Sequence, residues 1–83
     1  MYRVRIERAA VKSLARITEP HRSRIESELR TLQNDPRPPG CTKLKGRDAW
    51  RIRAGDYRII YEIHDEVLVV LVVEIGHRRD IYR

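Results

Sequence analysis

Three of the chain's four prolines fall within Asp35-Pro36-Arg37-Pro38-Pro39-Gly40, and neither a helix nor a central strand runs through such a segment. The segment separates two stretches of different periodicity. Upstream, Tyr2, Val4 and Ile6 alternate with Arg3, Arg5 and Glu7, the period of a strand with one face turned inward. From Arg8 the period becomes helical, with Val11, Leu14, Ala15 and Ile17 expected on the buried side and Arg8, Lys12 and Arg16 on the other. Pro20 suits the first turn of a second helix, where Ile25, Leu29 and Leu32 recur at helical spacing until a stop near Asn34. Helices joined by so few residues make an antiparallel hairpin.

Downstream the pattern is that of strands. Trp50 and Ile52 alternate with Arg51 and Arg53, Gly55-Asp56 supplies a turn, and residues Tyr57 to Ile63 return. Val67 to Ile75 is apolar on both parities apart from Glu74, which predicts a central strand buried on both faces. Short connections between these strands make an antiparallel meander. The expected architecture is a single α+β domain spanning residues 1–83, in the order β-α-α-β-β-β. Eighty-three residues leave no room for a second core.

Charge narrows the partners. Eighteen Lys and Arg against twelve Asp and Glu give a net +6, which favours a polyanion: nucleic acid, ribosome, an acidic protein or an anionic membrane surface. Residues 36–58 alone carry seven cations against two acids. The longest apolar run, Val67 to Val73, falls far short of the roughly 20 residues of a spanning helix, and residues 1–7 lack the apolar core of a signal peptide. With the lone Cys41, these features fit a reducing cytoplasm. His21, His64 and His77 are scattered and no Cys or His pair has metal-ligand spacing, so neither a metal nor another cofactor is expected.

Arg51 and Arg53 share one face of a strand with their Cα atoms roughly 7 Å apart, of the order of the spacing between successive phosphates. Arg58 follows on the neighbouring strand. Trp50, Tyr57 and Tyr61 share parity with Ile52, Ile59 and Ile63 and belong to the core. Lys43 and Lys45 flank Leu44 and serve either as phosphate contacts or as a solvated strand or loop entry. Gly76-His77-Arg78-Arg79-Asp80-Ile81-Tyr82 gathers an imidazole, two fixed cations and a phenol at the end of the last strand. Single arginines on the outer face of a sheet merely solvate it; their clustering is what points to chemistry. Convergence of Arg51, Arg53, Arg58 and Arg78, with His77 brought over them after Gly76, would hold a phosphodiester through a doubly charged, five-coordinate transition state.

The segments Lys43-Leu44-Lys45-Gly46, Trp50-Arg51-Ile52-Arg53, Gly55-Asp56-Tyr57-Arg58-Ile59-Ile60-Tyr61-Glu62-Ile63 and Gly76-His77-Arg78-Arg79-Asp80-Ile81-Tyr82 closely resemble the RelE branch of the RelE/ParE toxin superfamily, over nearly the whole chain. The resemblance implies the toxin of a type II toxin–antitoxin pair. It implies a ribosome-dependent, metal-independent endoribonuclease that cuts mRNA in the ribosomal A site by attack of a 2′-hydroxyl on the adjacent phosphate. Arg58 and Arg78 would then stabilise the transition-state phosphate, the latter also protonating the leaving group, and Tyr82 would stack on or orient the nucleotide. Arg51 and Arg53 stand where the founding type has two lysines. A guanidinium keeps its proton at physiological pH, so their role would be electrostatic, and His77, the ribosome or the RNA would supply the base. Lys43, Lys45, Arg79 and Arg83 would contact RNA or ribosome. The implied partner is a small acidic RelB-like antitoxin laid across the basic face, with no membrane association and no small-molecule ligand. A ParE-like member of the same fold would instead bind DNA gyrase and cut nothing, and a degenerate one would bind RNA without turnover. Arg58, Arg78 and Tyr82 together favour the nuclease.

Overall fold

The computed structural model describes residues 1–81. Its elements run β1 (Arg3–Ile6), α1 (Arg8–Arg16), α2 (His21–Asn34), β2 (Thr42–Lys43), β3 (Trp50–Ala54), β4 (Tyr57–His64), β5 (Val69–His77) and a short α3 (Arg78–Ile81), with a 3₁₀ turn at Asp65–Val67 between β4 and β5. The α+β class and the meander are as expected. The sheet order is β1-β5-β4-β3-β2, with β1 parallel to β5 and every other pair antiparallel. Thr42–Lys43 pairs with Trp50 and Arg51 and forms the far edge of the sheet.

The helical hairpin covers one face. Ile25, Leu29 and Leu32 of α2 meet Ile52, Ile59, Tyr61, Val70 and Val72 of the sheet in one buried cluster. Each such aliphatic side chain contributes about 1.5–3 kcal/mol on removal from water. Within α1 the buried side differs from the one the apolar residues suggest. Ala10 is 0 % exposed and Ile17 is buried, whereas Val11 is 49 % exposed and Ala15 lies in solvent. With Ala10 innermost, the helix rests on the sheet through a residue too small to hold the two layers apart. Pro20 lies one residue before α2 rather than inside its first turn. The Glu19 carboxylate accepts hydrogen bonds from the Ser23 N–H and hydroxyl, both at 2.9 Å, and these draw its pKa below the usual value.

Polar contacts pin the proline-rich connector. The buried Tyr61 hydroxyl donates to the Pro36 carbonyl at 2.8 Å, and burial pushes that phenol's pKa up. Arg37 stacks over the Trp50 ring, 5.3 Å from its centroid, and pairs with Asp65 at 2.9 Å. Tyr2 also donates its hydroxyl to Asp65. The Arg37 hydrogen bond, then that from Tyr2, holds the Asp65 carboxyl below its ordinary pKa. This exposed clasp ties the connector to the β4–β5 turn and to the residue before β1.

β5 is not buried on both faces. Ile60 pairs with Glu74 but Tyr61 pairs with Val72, so Val73 is the extra residue of a β-bulge. Val70 and Val72 point to the helices before the bulge and Ile75 does so after it, which is why both parities read as apolar. Val69, Leu71 and Val73 are only half-buried. The sheet face opposite the helices carries no layer of secondary structure among the described residues, and the charged positions lie there.

Candidate nucleic-acid interface

Alternation along β3 and β4 sends Ile52, Ile59 and Tyr61 to the helices and Arg51, Arg53, Arg58 and Ile60 to the open face. Arg53 and Arg58 are direct cross-strand partners, and Gly76 of β5 lies beside Arg58 in the same row. The next row is Thr42, Arg51, Ile60 and Glu74. Arg51 donates through Nη2 to the Thr42 hydroxyl at 3.3 Å. Arg58 is only 8 % exposed, and Ile60 beneath this group is 3 % exposed.

Two guanidinium groups placed directly opposite each other repel and weaken the sheet. Between them they concentrate positive potential over a shallow, partly dehydrated floor where Gly76 adds no side chain. Such a place binds an anion strongly, because fixed cations there need not reorganise. At its other end the same face is acidic. His64 Nε2 lies 3.0 Å from Glu62 Oε1 and its Nδ1 lies 3.7 Å from Glu66, and the Glu62 hydrogen bond foremost raises the imidazole pKa. The face therefore runs from a cationic end to an acidic one.

The β3–β4 turn fixes where the last segment begins. Gly55 adopts φ +63°, the left-handed conformation that a two-residue hairpin requires, and Ala54 and Tyr57 pair across it. The Asp56 carbonyl then accepts the Arg78 N–H at 2.9 Å. Arg78, exposed at the start of α3, is thereby held two residues beyond the Arg53–Arg58–Gly76 row. Arg51, Arg53 and Arg58 thus share one face of the sheet, and the Arg78 backbone is anchored at the end of the β3–β4 hairpin. Tyr82 and Arg83 lie outside the described residues.

His77 does not join them. It pairs with Tyr57, whose ring it meets edge-on at 5.5 Å, and Tyr57 in turn lies 5.3 Å from His21 at the start of α2. Gly76 leaves strand alternation intact, so the imidazole turns to the helix side of the sheet rather than over the arginines. The Arg79 N–H donates to His77 Nδ1 at 3.2 Å, which leaves the proton of the neutral ring on Nε2. Lys43 lies opposite Trp50, with Nζ 5.9 Å from the ring centroid and 3.3 Å from Asp48, and so belongs to the Trp50 side. Lys45 and Arg79 are exposed outside the strands. Thr42, which holds Arg51, and Arg37, which covers Trp50, went unmarked in the sequence because each acts through a strand pairing or loop path that spacing does not reveal.

The model of the ParE toxin of the type II toxin–antitoxin system parDE matches residues 4–82. The chain belongs to the RelE/ParE toxin superfamily. Within the superfamily it falls in the RelE branch. It is 29 % identical to a RelE-like toxin protein of Escherichia coli over 86 aligned positions, covering 98 % of this chain and 90 % of that protein. A chain of the archaeal RelE–RelB complex from Pyrococcus horikoshii superposes with a TM-score of 0.84 at 30 % identity, over 95 % of this chain and 97 % of that one. The intact Escherichia coli RelBE toxin–antitoxin complex gives 0.81 at 28 % identity, over 93 % and 96 %. This RelE/ParE toxin therefore has solved relatives across nearly its entire length, and those two are complexes with an antitoxin.

Proposed function

We propose that this RelE-like toxin is a ribosome-dependent endoribonuclease that cuts mRNA in the A site. The observation that carries the reading is the direct cross-strand pairing of Arg53 and Arg58 on the sheet face opposite the helices. A phosphodiester seated between them offsets their repulsion, and gains most as the attacking 2′-oxygen adds and a second negative charge develops on the phosphorane. The P–O5′ bond then breaks, leaving a 2′,3′-cyclic phosphate and a 5′-hydroxyl that takes up a proton, with Arg78 beside the row as donor or electrostatic partner. Arg51, braced by Thr42, adds a third cation.

Guanidinium groups only donate and His77 faces away, so neither the arginines nor that imidazole accepts the 2′-hydroxyl proton. The base comes from the ribosome or from the RNA. General-base assistance contributes about 10²- to 10⁴-fold, so a toxin that supplies mainly charge and position depends on its host particle for the remainder. Cytoplasmic action follows from that dependence. The partner is a RelB-like antitoxin, as in the RelE–RelB complexes this chain resembles. Its acidic residues would cover the face where Arg51, Arg53 and Arg58 meet.

The matching family model carries the ParE description, and this favours a second reading, a gyrase inhibitor that leaves RNA intact. Primer extension on messages recovered during expression without antitoxin separates the two. Cuts confined to translated codons, absent in Arg78→Ala, are the expected result. Intact messages accompanied by double-strand DNA breaks would replace the nuclease by the gyrase reading.

A further inference from the structure

β2 pairs with β3 only at Thr42 and Lys43, opposite Arg51 and Trp50, so the outer edge of residues 52–54 has no strand neighbour among the described residues. A cleft of about 350 Å³ lies along that edge, lined by Gly40, Thr42, Arg51 and Arg53, among others. Its Gly40 wall is open, since a Cβ added there would meet no atom within 4 Å. Arg53 therefore borders two places, this cleft on the edge side and Arg58 on the other. Arg51 leans toward the edge. Its Nη2 donates to the hydroxyl of Thr42, its partner on β2, at 3.3 Å, whereas its partner on the Arg58 strand is Ile60.

We propose that Thr42 is a positioning residue, which holds the Arg51 guanidinium at this cleft and so on the phosphate next to the scissile one. The proposal rests on the nuclease reading and concerns the same RNA strand. The Cα atoms of Arg51 and Arg53 are roughly 7 Å apart along β3, of the order of the spacing between successive phosphates. With Arg53 on the scissile phosphate, Arg51 meets its neighbour. An arginine has many rotamers, and ordering it on an anion costs entropy; a hydroxyl that already holds one end of the planar fork removes part of that cost. Threonine suits the task twice over. Its β-branched side chain favours the short edge strand, and its hydroxyl is neutral, so it fixes the guanidinium without cancelling its charge as a carboxylate would. The neighbouring phosphate keeps a single negative charge throughout the reaction, so this contact strengthens binding rather than the chemical step.

The test is single-turnover cleavage on programmed ribosomes at varied concentrations of the intact toxin, which separates the half-saturating concentration from the saturating rate. Thr42→Val keeps the branched shape and loses the hydroxyl. It should raise the half-saturating concentration about fivefold and leave the saturating rate within about twofold. Thr42→Ser should restore wild-type behaviour, and in an Arg51→Ala background Thr42→Val should change nothing further. A message with one uncharged methylphosphonate linkage beside the cut, on one of its two sides, should bind the wild-type toxin about tenfold more weakly and leave Arg51→Ala unaffected. Equal losses from Thr42→Val with and without Arg51, or the same methylphosphonate penalty in Arg51→Ala as in wild type, overturn the assignment and leave the nuclease reading standing. Absence of cutting by the wild-type toxin removes that reading and the assignment with it. Should Thr42→Val fail to fold by thermal melt, the cycle is run with Thr42→Ala, and equal losses in the two backgrounds overturn the assignment in the same way.

Discussion

Arg58→Ala is expected to lower single-turnover cleavage of ribosome-bound message by about 10²- to 10³-fold, the usual cost of removing one preorganised donor from a developing oxyanion. The loss should fall on the chemical step, because Arg58 faces Arg53 across the row and both contribute most once the second charge appears. Stability should respond far less. Truncation removes packing from a residue only 8 % exposed, but it also relieves the repulsion with Arg53, so the two changes oppose each other. A thermal midpoint within a few degrees of wild type is the expected companion result, about 1 kcal/mol in a domain of this size. Arg58→Lys should recover only part of the rate, because a point charge replaces a planar fork that can hold two phosphate oxygens.

Leu32→Ala is expected to act in the opposite way, through the fold rather than the site. Leu32 is fully buried where α2 meets the sheet and belongs to the cluster with Ile25, Ile59 and Tyr61. The truncation removes the transfer energy of the lost atoms and leaves a cavity, a cost of about 2–5 kcal/mol. In a small domain each kcal/mol lowers the thermal midpoint by about 4–8 °C, so a fall of at least about 8 °C should appear by calorimetry or circular dichroism. Toxicity should weaken at growth temperature and return in the cold, whereas Arg58→Ala should stay inactive at both. A loss of cleavage by Leu32→Ala with an unshifted melting curve would contradict this assignment.

The difference between these variants tracks what could be read from the residues. Period-two runs gave the strands, the spacing of Ile25, Leu29 and Leu32 gave the buried side of α2, and the shared parity of Arg51 and Arg53 gave half of the site. What escaped depended on partners distant in sequence. Val73 conceals a bulge that only pairing with β4 reveals, so β5 reads as buried on both faces when one is only half-buried. The side taken by α1 depends on how closely the helix approaches the sheet, and small Ala10 won over larger Val11. His77 was drawn toward the arginines by proximity in sequence, yet its strand parity and the Tyr57 ring place it behind them.

The central claim, that Arg53 and Arg58 hold one and the same phosphate, is tested most directly by a double-mutant cycle in single-turnover cleavage on programmed ribosomes. Groups that act as a unit on one charge are strongly non-additive, so Arg53→Ala with Arg58→Ala should cost much less than the product of the two single effects. Rate losses that simply multiply would mean that the two guanidinium groups serve separate contacts, and would contradict the account.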